Sequence, residues 1–215
     1  MLRLDEDLDE FYAFSKNKGA PWKYLPQGKG YLLRSPDIFE EIVKVICTTN
    51  IQWGGTKRMV RELVEKFGYP YLKDASLKTF PTPGSILAVS LQEFKNRVRL
   101  GYRADYIYLL AKQVDSGTLT PSDLLDKSLP TQAIKKRLLS IKGVGNYAAA
   151  TMLMLLGRYD HIPSDTIFRD FMKAKYFQNK DFSEEEGVLV FEEWGKWKYL
   201  AYWYDMVNFY HPGEN

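Results

Sequence analysis

The stretch HIPSDTIFRDFM carries a carboxylate that could do chemistry. Pro163 ends an extended loop there, and Ser164 or Asp165 begins a helix. A carboxylate at the start of a helix caps its first turn. The positive end of the helix dipole also keeps such a carboxylate ionised, so that it can stabilise a sugar cation or orient a water molecule. Because the two roles are compatible, Asp165 is the candidate catalytic residue.

A second feature with a chemical use is the turn G-V-G (residues 143–145) within LLSIKGVGNYAAATML. Glycines let the backbone approach a bulky ligand, and backbone amides at a helix N-terminus favour a phosphate. Lys142 and the basic cluster at 135–137 add positive charge. The same residues could instead form an ordinary tight turn with Val144 in the core. The apolar helix before the turn, the alanine-rich helix after it and the basic flank favour phosphate binding, which positions a protein on a backbone without reading sequence.

The overall charge of +3, from 30 basic and 27 acidic residues, is too small to indicate a partner. Its distribution is uneven. Residues 135–175 hold eight basic and three acidic side chains, whereas both ends of the chain are acidic. A polyanion would therefore be met by the middle of the chain.

Apolar residues recur at three- and four-residue spacing and never alternate for long, which predicts a mainly α protein of about ten helices. One helix runs to about Asn50, and another follows the break at residues 54–55. The two helices around the G-V-G turn form a helix-hairpin-helix. Prolines at 70, 81 and 83 predict a loop, residues 28–34 a short strand, and residues 183–210 an aromatic helix interrupted by Gly187 and Gly195.

Composition excludes several classes of protein. A chain of 215 residues with 45% hydrophobic residues is expected to fold around a core. It has neither an apolar stretch of about 20 residues, as a membrane helix needs, nor a basic leader, as a secretory signal needs. We therefore expect an intracellular protein of the cytoplasm, nucleoid or nucleus. Cys47 cannot form an internal disulfide. One cysteine and two histidines cannot build a structural zinc site or hold an iron–sulfur cluster.

Several segments resemble the helix-hairpin-helix (HhH-GPD) DNA glycosylase superfamily. GKGYLLRSPDIFEEIVKVICTTN (28–50), FPTPGSILAVS (80–90) and RLGYRADYIYLLAKQVDSGTL (99–119) are similar to parts of the 8-oxoguanine and 3-methyladenine glycosylases, and WGKWKYLAYWY (194–204) resembles the closing helix of the bacterial 3-methyladenine glycosylase II group. The resemblance implies an all-α fold with two helical lobes flanking a cleft. It also implies an N-terminal extension, 1–34, packed on a core, 35–215, with one subdomain at about 50–160 and the other formed by the N- and C-terminal helices.

The resemblance assigns roles to residues. Asp165 takes the place of the catalytic aspartate. The residues expected to bind DNA are Lys142, Gly143, Val144, Gly145 and Asn146, which grip a phosphate, and Asn50 and Gln52, which fill the gap left by the extruded base. The residues expected to line the base pocket are Tyr147, Trp53 and Trp203, while most other aromatic side chains should pack in the core. Backbone carbonyls of Leu139, Ile141 and Val144 would hold K⁺ or Na⁺, and no organic cofactor or iron–sulfur cluster is expected.

Tyr147 occupies the position, two residues after the second hairpin glycine, where bifunctional members carry a lysine. A phenol cannot form an imine with deoxyribose. The resemblance therefore implies a monofunctional glycosylase, acting as a monomer on double-stranded DNA with a damaged base, that leaves an abasic site.

An alkylated purine is the leading substrate, because it carries positive charge that attracts electron-rich rings. Oxidised guanine, as in the 8-oxoguanine glycosylases, is the second. Two alternatives from other classes stay open: a damage-binding protein without catalysis, and a helical interaction protein without affinity for nucleic acid.

Overall fold

The computed structural model describes residue 3 and residues 6–25 and 31–212. Within these residues the chain forms eleven α-helices, two short strands and three 3-10 helices. The α-helices are α1 (Asp9–Lys16), α2 (Ile38–Thr48), α3 (Trp53–Phe67), α4 (Pro83–Leu87), α5 (Leu91–Arg97), α6 (Arg103–Asp115), α7 (Thr131–Leu139), α8 (Asn146–Leu155), α9 (Thr166–Lys175), α10 (Glu184–Leu189) and α11 (Lys198–Tyr210). The strands are β1 (Pro70–Tyr71) and β2 (Asp74–Lys78), and the 3-10 helices are Trp22–Tyr24, Pro121–Leu125 and Glu192–Trp197. The predicted all-α class is confirmed, and none of the helices in the described ranges is both long enough and apolar enough to cross a bilayer.

The chain divides into two compact units. The central unit comprises Ser35–Met152, and the terminal unit combines Met1–Arg34 with Leu153–Asn215. Each has its own buried residues, so each is described by itself.

The central unit is built around α2. Ile42, Val43 and Ile46 are fully buried on this helix, which packs against α3 and α6. Its N-cap is Asp37, whose Oδ1 accepts the backbone N–H of Phe39 at 2.5 Å. Burial raises the pKa of the neighbouring Cys47 thiol to about 12, so this cysteine is a small core residue and not a nucleophile.

The start of α3 differs from the sequence prediction. The helix begins at Trp53 and contains Gly54 and Gly55 in its first turn, so these glycines do not break the chain before it. The Gln52 carbonyl accepts the N–H groups of both Gly55 and Thr56, which begins the helical hydrogen bonding. A Cβ at residue 55 would lie 2.4 Å from the end of the Ile51 side chain, which would then have to move. The second glycine therefore serves packing.

The predicted loop around residues 70–83 contains a small β-hairpin. β1 and β2 pair antiparallel with Tyr71 opposite Asp74, and the Thr79 N–H donates to the Tyr69 carbonyl at 2.8 Å. Strands this short are too brief for alternation to appear in the sequence. The other strand prediction is not supported by residues 31–34, which form neither helix nor strand, and its remaining residues, 28–30, lie outside the described residues.

Aromatic side chains form the core of the terminal unit, as the sequence predicted for most of them. The buried ones are Phe11, Tyr12, Tyr159, Phe168, Phe171, Phe191, Trp194, Tyr199 and Tyr202. Gly195, with φ of +51°, lies inside the last 3-10 helix and kinks it, so the predicted interruption at this glycine is present. Gly187 does not interrupt a helix as predicted; it lies inside α10, where a Cβ would approach the Phe182 and Phe168 rings to 2.7 and 2.9 Å.

A buried ion pair joins α9 to α11 in this unit. The fully buried Asp205 carboxylate accepts hydrogen bonds from Lys175 and from the Tyr176 hydroxyl. Burial and these contacts raise the pKa of Tyr176 well above its ordinary value, so the phenol stays a donor. Because Asp165 caps the other end of α9, this pair helps to hold the helix that carries the candidate catalytic residue.

We expect Asp205→Ala to lower the free energy of unfolding by about 3 kcal/mol, since it leaves a partly buried ammonium group and a phenol without their acceptor. Asp205→Asn should cost less, because its amide oxygen still accepts a hydrogen bond. Urea denaturation checks both, and Asp181→Ala, which breaks an exposed ion pair with Lys173 on the same helix, is the matched control with an unchanged midpoint. Equal midpoints for Asp205→Ala and the control would contradict this reading.

Candidate active site

The turn between α7 and α8 is held by backbone hydrogen bonds. The Val144 N–H donates to the Ile141 carbonyl at 3.0 Å. The Ala149 N–H donates to the Gly145 carbonyl at 2.8 Å, so Gly145 is the N-cap of α8. The Val144 side chain is buried, whereas Lys142 and Asn146 are exposed. The valine thus anchors the turn in the core while its flanks face solvent.

The two glycines of this turn have different reasons to be glycine. Gly143 has φ of +94°, and a Cβ there would lie 2.5 Å from the Tyr106 ring. Gly145 has no atom within 4 Å of the place where its Cβ would be, and its φ is not positive. Since the first N–H groups of α8 have no acceptor within the helix, the open space at Gly145 gives a ligand access to donors at the positive end of the helix dipole.

The carbonyls predicted to hold a monovalent cation lie around the same turn. Among the described residues, no backbone N–H donates to the carbonyls of Leu139 or Val144, and the Ile141 carbonyl accepts one, from Val144. Backbone carbonyl oxygens are a type of ligand that K⁺ binds in proteins. These carbonyls are of the right chemical type, and the cation site stays a prediction.

Tyr102, the N-cap of α6, and Tyr106, within α6, connect this turn to the loop before α3. Their rings meet edge to face with centroids 5.6 Å apart, and Tyr106 packs on Gly143. The exposed Asn50 amide donates to the Tyr102 hydroxyl at 3.4 Å, and this contact, with a second from Thr49, lowers the pKa of Tyr102. The sequence pointed to Asn50, to the turn and to Tyr102 with Arg103 as a possible brace, but not to Tyr106, although it follows Tyr102 by four residues, a spacing that puts two side chains on the same side of a helix.

Arg103 supports the same loop. Its side chain is buried, its guanidinium donates to the Thr49 carbonyl, and its Cζ lies 4.6 Å from the centroid of the Tyr102 ring. This arginine therefore braces the Asn50 loop from within the unit, whereas a solvated side chain would be the ordinary expectation for an arginine on a helix.

Gln52 and Trp53 continue the exposed surface next to Asn50. Gln52 caps α3 only through its backbone, since its side chain makes no capping hydrogen bond. The Trp53 ring is 66% exposed and has no aromatic or cationic neighbour within the portion of the chain that is described. Tyr147, the second residue of α8, is half-buried, and its ring is likewise without an aromatic contact among those residues.

Asp165 lies in the terminal unit as the N-cap of α9. One carboxylate oxygen accepts the Phe168 N–H at 2.8 Å, which confirms the capping role. The other oxygen has no hydrogen-bond or ion-pair partner in residues 6–25 and 31–212, and the side chain is partly exposed. Buried Ile162 and Pro163 hold the loop immediately before it. One oxygen thus stabilises the helix while the other is available for chemistry.

Trp203 ends a ladder of near-parallel rings in the terminal unit. It stacks on Tyr199 at 6.1 Å, Tyr199 stacks on Tyr159 at 6.4 Å, and Tyr159 stacks on Trp197 at 6.1 Å between centroids. Trp203 is 37% exposed, whereas Tyr199 and Tyr159 are buried. The exposed edge of the ladder is a rigid aromatic surface.

Each unit therefore assembles part of the predicted site. The central unit joins the turn and the Asn50 loop through α6 and also carries Gln52, Trp53 and Tyr147; the terminal unit carries Asp165 and Trp203. A shallow cavity of about 470 Å³ in the central unit contains none of these residues. It is lined by Leu87, Tyr108, Lys112, Gln113, Asp115 and Ser116.

Residues 43–196 match the HhH-GPD superfamily of base excision DNA repair proteins. The chain belongs to this family. The superfamily predicted from the sequence is thus confirmed, and the α7–turn–α8 arrangement is its helix-hairpin-helix.

Solved structures of this HhH-GPD protein's relatives agree with the fold. The 8-oxoguanine glycosylase/lyase of Clostridium acetobutylicum matches with a TM-score of 0.77 at 21% identity, over 98% of this chain and 72% of that one. The 3-methyladenine DNA glycosylase of Archaeoglobus fulgidus matches with a TM-score of 0.75 at 21% identity, over 98% and 72%. The 3-methyladenine DNA glycosylase of Schizosaccharomyces pombe, in complex with abasic DNA, matches with a TM-score of 0.69 at 16% identity, over 96% and 99%.

Substitution of the two turn glycines by alanine should separate their roles. Gly143→Ala lowers the free energy of unfolding by about 2 kcal/mol, because it adds both left-handed strain and an overlap with Tyr106. Gly145→Ala, which meets neither problem, changes it by less than about 1 kcal/mol. Chemical denaturation of both variants measures the difference, and equal losses would show that Tyr106 does not restrict residue 143.

Proposed function

We propose that this protein is a monofunctional DNA N-glycosylase that extrudes a damaged purine, with alkylated bases preferred, and hydrolyses its N-glycosidic bond to leave an abasic site. The observation that carries this proposal is the geometry of Asp165: in a member of a base excision repair family, one oxygen caps a helix and the second is unengaged. The substrate is double-stranded DNA, and the protein acts on it as a monomer.

DNA binding is supported by the chemistry of the turn. The N-terminus of α8 has no acidic side chain in its first turn, Gly145 leaves its backbone accessible, and Lys142 adds a positive charge. These groups suit a phosphate of the lesion strand. A K⁺ or Na⁺ ion on the carbonyls of Leu139, Ile141 and Val144 would add positive charge beside that phosphate. The S. pombe relative crystallised with abasic DNA is consistent with such a partner.

Base release requires stabilisation of a sugar cation. When the bond between C1′ and the purine nitrogen breaks, its electrons leave with the base and positive charge develops on the sugar. The unengaged oxygen of Asp165 stabilises that charge and accepts a proton from the water whose oxygen adds to C1′. An alkylated purine already carries a positive charge, so it departs as a neutral base without a separate acid catalyst.

Selection of the base rests on aromatic side chains. Extrusion costs least for a damaged base, and an electron-rich ring attracts a cationic purine by about 1 to 2 kcal/mol. Tyr147 and Trp203 are each partly exposed to solvent. Trp53, two-thirds exposed beside Asn50 and Gln52, suits stacking within the opened duplex as well as a pocket wall.

Tyr147 supports a hydrolytic and not a lyase reaction. Strand cleavage through an imine requires a primary amine at the sugar, and a phenol cannot supply one. Lys142 lies before the turn, where we expect its ammonium group to meet a phosphate. The absence of a lysine at residue 147 therefore favours an intact strand with an abasic site as the product.

Duplexes that each carry one lesion test this reaction. Incubation with the protein should release 3-methyladenine or 7-methylguanine, and strand breaks should appear only after heating in alkali. Borohydride should trap no covalent complex, and an undamaged duplex is the control. Strand breaks before the alkali step, or a trapped covalent complex, would contradict the argument from Tyr147. Release of 8-oxoguanine alone would show that the substrate is an oxidised purine and not an alkylated one. Lesion-selective binding without any release would identify a damage-binding protein instead.

Asp165→Asn tests the catalytic assignment without unfolding α9, because asparagine caps a helix about as well as aspartate. We expect single-turnover base release to fall by about 100-fold or more, since the negative charge is lost. Affinity for a duplex with an abasic-site analogue should change little. Asp170→Asn, an exposed substitution on the same helix, is the matched control. A release rate for Asp165→Asn that equals the control's would refute the role of this carboxylate.

A further inference from the structure

The outer face of α3 is basic. Thr56, Met59, Leu63 and Phe67 face the core of the central unit at helical spacing. On the opposite side lie the exposed side chains of Lys57, Arg58 and Arg61, named here the α3 basic face.

The charges of the α3 basic face are not neutralised within the unit. Arg58 and Arg61 each have a glutamate four residues later, a spacing at which helical side chains can pair. No ion pair or hydrogen bond of their side chains, or of Lys57, occurs among the residues described. The Glu62 carboxylate instead accepts the Arg99 backbone N–H at 2.7 Å.

Three other basic residues of the same unit do have carboxylate partners. Lys44, Lys95 and Arg97 are each paired with a carboxylate. What distinguishes the α3 basic face is that three exposed basic side chains without an ion pair among the described residues lie within five residues of one helix, whereas opposite charges are commonly interspersed on a solvated helix surface. Its spacing also suits a polyanion. From Lys57 to Arg61 the helix rises about 6 Å, which is close to the length of about two nucleotides of one DNA strand at 3.4 Å each.

The position of this face relates it to the helix-hairpin-helix. A continuous row of contacts leads from Gly143 through Tyr106 and Tyr102 to Asn50, and the chain then passes through Trp53 into α3. The residues proposed to enter the duplex thus come between the turn and the α3 basic face along this row. A groove of duplex DNA is bordered by one backbone on each side, so if the turn holds the lesion strand, the backbone available beyond Asn50 is that of the other strand.

We propose that Lys57, Arg58 and Arg61 bind phosphates of the strand opposite the lesion. This inference rests on the proposed function, because it takes the α7–α8 turn as the contact to the lesion strand. It adds a second anchor that grips the duplex without reading its sequence. Two anchors across a groove hold both backbones while one nucleotide is extruded.

The salt dependence of binding tests the anchor. We compare Arg58→Gln/Arg61→Gln with the wild type by fluorescence anisotropy on a duplex with a tetrahydrofuran abasic-site analogue, from about 50 to 200 mM KCl. The slope of log K against log salt should become shallower by about 2, one for each lost phosphate contact, and affinity at the lowest salt should fall at least about tenfold. The control is Lys73→Gln/Lys127→Gln, which removes the same charge from exposed positions elsewhere in the unit and should leave the slope within about 0.5 of the wild-type value. Circular dichroism verifies that all variants fold.

Neutral methylphosphonate linkages identify the strand. With the strand opposite the lesion neutralised, the wild type and Arg58→Gln/Arg61→Gln should bind with equal slopes; with the lesion strand neutralised, their difference should persist. If the salt slope of Arg58→Gln/Arg61→Gln is unchanged, or if its affinity falls only as much as that of the control variant, the α3 basic face does not bind DNA phosphates. A difference that disappears only when the lesion strand is neutralised overturns the strand assignment. Because these measurements use binding and not base release, failure of the glycosylase reaction would leave them interpretable on their own.

Discussion

The arrangement of the central unit depends on a steric constraint at residue 143, which must have no side chain. Its backbone adopts φ of +94°, and the Tyr106 ring occupies the space into which a Cβ would project. This close approach lets α6 support the helix-hairpin-helix directly. Tyr102, the N-cap of the same helix, accepts a hydrogen bond from Asn50, so one helix positions both the turn and the loop before α3. The proposed contacts to both DNA strands follow from this single support.

Asp165 illustrates how a structural and a chemical role can share one carboxylate. Capping engages one oxygen with the Phe168 N–H and fixes the side chain rotamer at the helix N-terminus. A fixed carboxylate needs little reorganisation when charge develops on a sugar, which is the main source of electrostatic catalysis. The capping hydrogen bond therefore also serves the proposed reaction, because it holds the carboxylate in place. At its other end, α9 is held by the buried Asp205 through Lys175.

The aromatic core of the terminal unit provides rigidity without excluding polar groups. The buried Tyr159 hydroxyl accepts a hydrogen bond from Arg3 at 3.1 Å and donates one to Glu6 at 2.7 Å. Desolvation raises the pKa of this phenol well above its ordinary value, so it remains neutral. Because its hydroxyl has both a donor and an acceptor, Tyr159 can be buried and stack on Tyr199, which in turn stacks on Trp203. The partly exposed Trp203 ring is thus supported on one side by buried aromatic rings.

The sequence by itself determined the features that arise from neighbours along the chain. Helical periodicity, the apolar run before the turn and the two glycines predicted the helix-hairpin-helix, and the position of Asp165 after a proline loop predicted a cap; both are confirmed. Together with the order of the motifs, these local signals were sufficient for the family. Only the tertiary structure decided that Gly143 packs on Tyr106, that Tyr106 and Tyr102 link it to Asn50, and that the α3 basic face is unpaired. These depend on contacts between residues that are distant in sequence, where spacing carries no information about which side chains meet or which charges are already neutralised.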